Sequence, residues 1–182
     1  MKTKLAICMV LWAATALVSN AQGIVWATKV EKFSSQVGEK AYAAKQVLGK
    51  PNSTPDSTGN GWQPYGSNKE ESITVSFDTV IQSKQVLIIE SMNTGYIRKV
   101  SAFNEDGLEY DIAAYPPKSG AKGPKLIQIN VEQFSIKIKS VKVTLVPLRN
   151  VPVTIDAIGI TASDKPYTLN KTNLHLEPVA AK

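Results

Sequence analysis

The sequence predicts an all-β protein, a two-sheet sandwich of jelly-roll type with one short helix near its N-terminus. Three observations predict it. From Ser72 onward, segments that alternate apolar and polar residues recur at short, regular intervals with turn residues between them, the pattern of antiparallel strands with one buried face. Ahead of them a single stretch, Glu39–Leu48, carries helical spacing. The connections leave little room for the long crossovers that parallel strands require.

The chain opens with Lys2 and Lys4, followed by an uncharged apolar run from Leu5 to Val18 and the small residues Ser19-Asn20-Ala21. That is the layout of a secretory signal removed after Ala21. The run is shorter than the roughly 20 residues a helix needs to cross a bilayer. The expectation is therefore an exported chain, periplasmic, outer-membrane-associated or extracellular, without a transmembrane segment after cleavage. The single cysteine, Cys8, leaves with the signal, and bulky Ile7 before it argues against lipidation. A mature domain without cysteine has no disulfide and no thiol chemistry, so packing must hold it together.

The net charge of +6 falls by two when the signal is removed. Lys125, Lys137, Lys139 and Lys142 are spread along strands rather than gathered in a run. Lysines in alternation solvate an outer face and guard strand edges. The other reading is a basic face for acidic glycans or anionic headgroups. Nucleic acid is not an expected partner of an exported chain.

Along the chain, Gly23–Ser35 reads as a first extended segment. Within Glu39–Leu48, Tyr42 and Gln46 lie at i and i+4, with Ala43 and Val47 beside them. Gly49 supplies a left-handed end and Pro51 forbids continuation. Asn52–Asn68 is a long polar loop, a kind that in compact domains is usually functional or disordered. Ser72–Asp78 alternates cleanly, whereas Gln85–Glu90 is apolar on both faces and predicts a central strand covered on both sides. Gly95–Phe103 and Leu108–Ala114 flank Asn104-Glu105-Asp106-Gly107, which predicts a tight hairpin with positive φ at both Asp106 and Gly107. Pro116–Pro124 is a second loop. Lys125–Val131 and Ser135–Val146 follow, and a slip of the alternation at Lys139-Ser140 predicts a bulge or a break. Val151–Thr161 closes the domain. The expected organisation is a signal over 1–21, a β-sandwich over 22–163 and an aperiodic tail over 164–182.

Read in order, WATKVEKFSSQ, YAAKQVLGKPN, the GW-x-P around Trp62, SITVSF, IIESMNTGYIRKV and IDAIGIT resemble the discoidin-like (coagulation factor 5/8 type C-like) domains of the galactose-binding jelly-roll fold. They are similar in particular to the version found in envelope proteins of Bacteroidota. The resemblance runs from about Val25 to Thr161. It implies non-catalytic recognition of sugars, lipid headgroups or proteins by loops at one end of the sandwich. Two departures stand out: the usual cysteine pair is absent, and the chain stops where relatives commonly continue into a second module.

The candidate site residues are Tyr65, Asn60, Trp62, Asn93, Tyr96 and Arg98, drawn from Asn52–Asn68 and Met92–Arg98. Aromatic rings on loops stack against sugar faces, and Trp62 can equally plug the end of the core. Asn52, Asp56 and Asn60 carry oxygens suited to a hard cation, but without the spacing of a dedicated calcium loop. No cofactor is expected, with a structural calcium as the secondary reading. Glu90 either accepts sugar hydroxyls or pairs with Arg98. Asp156 interrupts an apolar strand and needs partners; the family pattern implies backbone N–H groups from the region around Gly49. His175 is the only histidine, and neither H-E-x-x-H nor G-x-S-x-G occurs, so no enzyme is expected. The function expected is a secreted, non-catalytic module that binds an envelope or extracellular glycan. The alternative is a structural adaptor that docks another cell-envelope protein.

Overall fold

A computed structural model describes residues 23–54, 59–66, 68–117 and 120–179. The signal reading therefore lies outside the described residues. The strands are β1 (Val25–Trp26), β2 (Lys29–Phe33), β3 (Glu71–Gln82), β4 (Gln85–Met92), β5 (Ile97–Phe103), β6 (Glu109–Ala114), β7 (Lys125–Asn130), β8 (Lys137–Leu145), β9 (Thr154–Thr161), β10 (Tyr167–Leu169) and β11 (Leu176–Pro178). All pair antiparallel, in a four-stranded sheet ordered β1-β9-β4-β7, a five-stranded sheet ordered β2-β3-β8-β5-β6 and a separate β10-β11 hairpin. Among the described residues no helix is long and apolar enough to cross a membrane.

The core lies between the two larger sheets, where alternation does what the sequence pattern implies. Ile73, Val75 and Phe77 of β3 and Val141, Val143 and Leu145 of β8 face Val86 and Ile88 of β4 and Ile158 and Ile160 of β9. β4 is buried on both faces, as expected of a doubly covered strand. Its second cover is supplied by residues read as a tail. Leu174 and Leu176 of the β10–β11 hairpin pack on Leu87, Ile89 and Ala157 on the outer side of the four-stranded sheet. Gln128 fixes the hairpin by exchanging hydrogen bonds with the Tyr167 backbone, donating to its carbonyl at 2.9 Å and accepting from its N–H at 2.7 Å. The alternation of Leu174 and Leu176 is too short to register as a period, so only the uncovered apolar face of β4 hinted at a partner.

Three local expectations are corrected. The segment 39–48 is not an α-helix: only Ala44–Val47 forms a 3-10 turn. Tyr42 takes φ 57°, and its N–H and C=O are spent on Gly59 and Gln63 of the neighbouring loop, so the helical ladder cannot start there. In the 104–107 turn only Gly107 has positive φ. The Asn104 side-chain oxygen accepts from the Asp106 and Leu108 N–H groups at 3.0 and 2.9 Å, which builds a wider turn with the glycine at its left-handed position. The slip at Lys139-Ser140 is a bulge rather than a break. β8 runs through, while β3 pairs Ser76 with Ser140 and then Ile81 with Ile138. The Lys139 ammonium donates to the Phe77 carbonyl at 3.0 Å, satisfying an acceptor at that irregularity.

Candidate functional site

The end of β4 and the starts of β7 and β9 lie together, because β4 runs antiparallel to both neighbours. The two loops that supply the candidate residues meet at this end with the loop read at Pro116–Pro124. The first is bolted to β9 by reciprocal Trp62–Ile155 backbone bonds of 2.8 and 3.0 Å. Gly61 makes that approach possible: at φ +80° its missing Cβ would lie 2.9 Å from the Ile155 carbonyl oxygen, a place where only glycine fits. The second and third loops are joined by Thr94–Ala121 backbone bonds of 2.7 and 3.0 Å.

Asp156 anchors the first loop from below. It is buried and accepts hydrogen bonds from the Asn52 and Ser53 N–H groups at 3.1 and 3.4 Å and from the Ser53 hydroxyl. Burial pushes its carboxyl above the usual range, and these hydrogen bonds from Ser53 and Asn52 pull it back. The backbone N–H partners implied by the family resemblance are present, immediately after Gly49 and Pro51.

Between the loops opens a cleft of about 300 Å³, lined among others by Tyr42, Asn60, Met92, Asn93, Lys122 and Thr154. Two of the sequence-predicted residues, Asn60 and Asn93, meet in it. Each spends its amide N–H on a backbone carbonyl, Asn60 on Asn52 at 3.0 Å and Asn93 on Pro152 at 2.7 Å. Those bonds fix which way each carboxamide faces and leave its oxygen as an acceptor with no partner among the described residues. Asn93 sits at φ 26°, a region asparagine tolerates better than most side chains. The Thr154 hydroxyl is buried without a hydrogen-bond partner among the described residues, and Thr154 belongs to the same wall. The cleft thus offers two carboxamide oxygens and the Lys122 ammonium around a tyrosine ring, with the Thr154 hydroxyl buried behind its wall. This donor and acceptor set suits a polyhydroxylated ligand with an apolar face.

The other predicted residues lie elsewhere. Trp62 is fully buried with its indole N–H on the Ser35 carbonyl at 2.8 Å; it is a core plug, and its ring is out of reach of a ligand. Tyr96 is 5% exposed, and Gly120 lies so close over its ring that a Cβ there would fall 2.4 Å from the hydroxyl. Arg98 turns its guanidinium onto its own backbone, donating to the Gly95 and Ile97 carbonyls at 2.9 and 3.2 Å. The expected Glu90–Arg98 pair is therefore not formed. Tyr65 is 57% exposed but stands off the cleft, its N–H held by the Ser35 hydroxyl at 3.0 Å. Phe33, Val37 and Leu148 are also exposed. Tyr42 and Thr154 were missed because one was assigned to a helix and the other to the interior of a strand. Asp56, part of the calcium reading, lies outside the described residues. Among those described, no group of three acidic, histidine or cysteine side chains gathers to hold a metal.

No protein-family model and no curated protein matches the sequence. Solved structures do. The chain is similar to XRCC1, in its reduced form bound to the DNA polymerase β catalytic domain, at 10% identity and TM-score 0.59, covering 78% of this chain and all of that one. It is also similar to chitosan-binding module 1 of a chitosanase/glucanase from Paenibacillus sp. IK-5, at 12% identity and TM-score 0.52, over 74% of this chain and 93% of that one. A third is the family 32 carbohydrate-binding module of C. perfringens NanJ in complex with galactose, at 14% identity and TM-score 0.51, over 76% and 98%. The chain has the galactose-binding-like jelly-roll fold. At these identities the likeness speaks for the fold. The fold serves sugar-binding modules in two of the three structures and a DNA-repair protein in the other, so function must be argued from the cleft.

Proposed function

We propose that the protein is a non-catalytic glycan-binding module, exported by its N-terminal signal, that holds a sugar of an envelope or extracellular glycan in the loop-end cleft. The observation that carries this is the pair Asn60 and Asn93. Two carboxamides on different loops are each locked by a backbone hydrogen bond so that their oxygens remain as acceptors in one cleft. Pre-set acceptors of this kind bind hydroxyl donors without a further ordering cost. Tyr42 supplies the ring for an apolar sugar face. The sugar-binding neighbours of the same fold support this reading. A glycan-array screen of residues 22–182 tests it: specific hits should appear and should be lost in Asn60→Ala and in Asn93→Ala. Hits that survive both substitutions would move the site elsewhere.

A second observation favours the adaptor reading. Phe33, Val37, Tyr65 and Leu148 expose large apolar side chains, and the 33–37 segment is tied to the 63–65 segment by the Val37–Gln63 and Tyr65–Ser35 bonds. Exposed apolar patches mark protein-docking surfaces. On this reading, Tyr65→Asp abolishes capture of one stoichiometric protein from the native envelope, and a capture that Tyr65→Asp leaves intact would exclude this patch.

A further inference from the structure

Trp26 lies on the edge strand of the four-stranded sheet, paired with Gly159 of β9. Its ring lies across that glycine: a Cβ at position 159 would fall 2.9 Å from the ring, so any side chain there would displace it. The ring packs against the outer apolar cluster that holds Leu174 and Leu176, yet Trp26 is only partly buried. Its indole N–H has no hydrogen-bond partner among the described residues.

Three polar side chains reach this ring from separate parts of the chain. The Gly49 N–H donates to the Ala27 carbonyl at 2.9 Å, which sets the exposed Lys50 beside β1. Between β10 and β11, Leu174 takes φ 53° and turns its side chain into the outer cluster. Asn173 and His175, on either side of it, stay exposed. The Asn173 carboxamide oxygen accepts the His175 N–H at 3.0 Å, so its NH2 group remains as a donor. Trp26, Lys50, Asn173 and His175 together line a cleft of about 320 Å³. It shares no lining residue with the loop-end cleft.

The chemistry of this second cleft is one-sided. No acidic residue lines it, and neither the Lys50 ammonium nor the Asn173 NH2 group has an acceptor among the described residues. The His175 imidazole is likewise unspent. Donors of this kind, one of them charged, around an aromatic ring recognise a negative group carried on a body with an apolar face. The volume lies at the low end of small-molecule sites and admits a single sugar-sized ring. The loop-end cleft differs, because there two carboxamide oxygens stand as acceptors for neutral hydroxyls.

We propose that this cleft is a second sugar-binding site, selective for an acidic sugar, with Lys50 meeting the charge and Trp26 carrying the ring face. Asn173 and His175 donate to the anionic group or to a hydroxyl beside it. A carboxylate and a sulfate on a sugar ring both present this chemistry. The site goes beyond the loop-end reading and does not depend on it.

The test is an NMR titration of residues 22–182 with methyl glucuronide, glucose 6-sulfate, methyl glucoside and acetate. His175 is the only histidine, so its imidazole signals identify themselves. An acidic sugar should shift the Trp26 indole and His175 imidazole signals and leave the Trp62 indole, held by the Ser35 carbonyl, unmoved. Methyl glucoside and acetate at the same concentration should shift neither. Lys50→Gln should weaken the acidic sugar at least tenfold, while Asn93→Ala should leave it unchanged. A response to methyl glucuronide alone assigns a uronic acid, and a response to glucose 6-sulfate alone assigns a sulfated sugar; either upholds the site. The proposal is overturned if methyl glucoside or acetate moves Trp26 and His175 as far as the acidic sugars do, or if neither acidic sugar moves them. Those readouts use the unmodified chain, so they decide the matter whatever the variants do. Neutral sugars binding at Asn60 and Asn93 with no acidic-sugar shift at Trp26 would remove this site and leave the loop-end one.

Discussion

Replacing Glu90 by glutamine should remove one strongly pH-dependent contribution to stability. Burial pushes the Glu90 carboxyl up to about 7 from the 4.5 expected of it in the unfolded chain, with Gly95 and Lys125 opposing only in part. Because the folded carboxyl keeps its proton to higher pH, the native state binds more protons than the unfolded state between these values, and stability falls as pH rises through that window. Below about 4.5 both states hold the proton and nothing is lost; above about 7 both are ionised and the full penalty applies. At ~1.4 kcal/mol per pH unit, the gap corresponds to ~3 kcal/mol. Glutamine has the same shape and no charge to bury. Urea unfolding of the two proteins at pH 5, 6, 7 and 8 measures it: the variant should gain ~3 kcal/mol relative to the parent between pH 5 and pH 8. A stability difference that stays constant across that range would refute the reading of Glu90 as a buried carboxylate without a hydrogen-bond partner among the described residues.

Three further outcomes follow from the packing. Trp62→Ala should cost ~3–5 kcal/mol, because a fully buried indole is lost and the Ser35 carbonyl gives up its donor; denaturation equal to that of the parent would remove Trp62 from the core. Leu174→Ala should cost ~2 kcal/mol or more and raise amide exchange on the β10–β11 hairpin before β3 or β8, since Leu174 packs only in the outer cluster; uniform exchange would mean the hairpin is not a separable cover. Asp156→Ala should abolish glycan binding through disorder of residues 50–54, seen as lost amide protection at Asn52 and Ser53, whose N–H groups it accepts; retained protection would show that the loop holds itself.

Much of the architecture was legible because antiparallel strands with one buried face write their register into alternation. β3 and β8 were found for that reason, β4 by its apolar run on both faces, and Gly49 and Pro51 marked a real change of chain direction. What could not be read was decided by contacts distant in sequence. The 39–48 segment has helical spacing, yet the Tyr42 backbone bonds to Gly59 and Gln63 win over its local preference. The β10–β11 hairpin is stable only because β4 presents an apolar outer face to Leu174 and Leu176. At the site, Asn60 and Asn93 were legible as polar residues on converging loops. Arg98 and Tyr96 misled because charge and aromaticity say nothing of a side chain turned inward or capped by Gly120. Glu90 was visible as a carboxylate at a strand end, while its isolation emerged only once every potential partner had a position.

The most direct test of the central claim is a 15N NMR titration of the mature chain with the best glycan from the array. The account predicts that the largest amide shifts fall on Asn60, Asn93 and Thr154, with the side-chain amides of both asparagines moving in step. Shifts confined to Phe33, Val37 and Tyr65, with the asparagine amides unmoved, would contradict it.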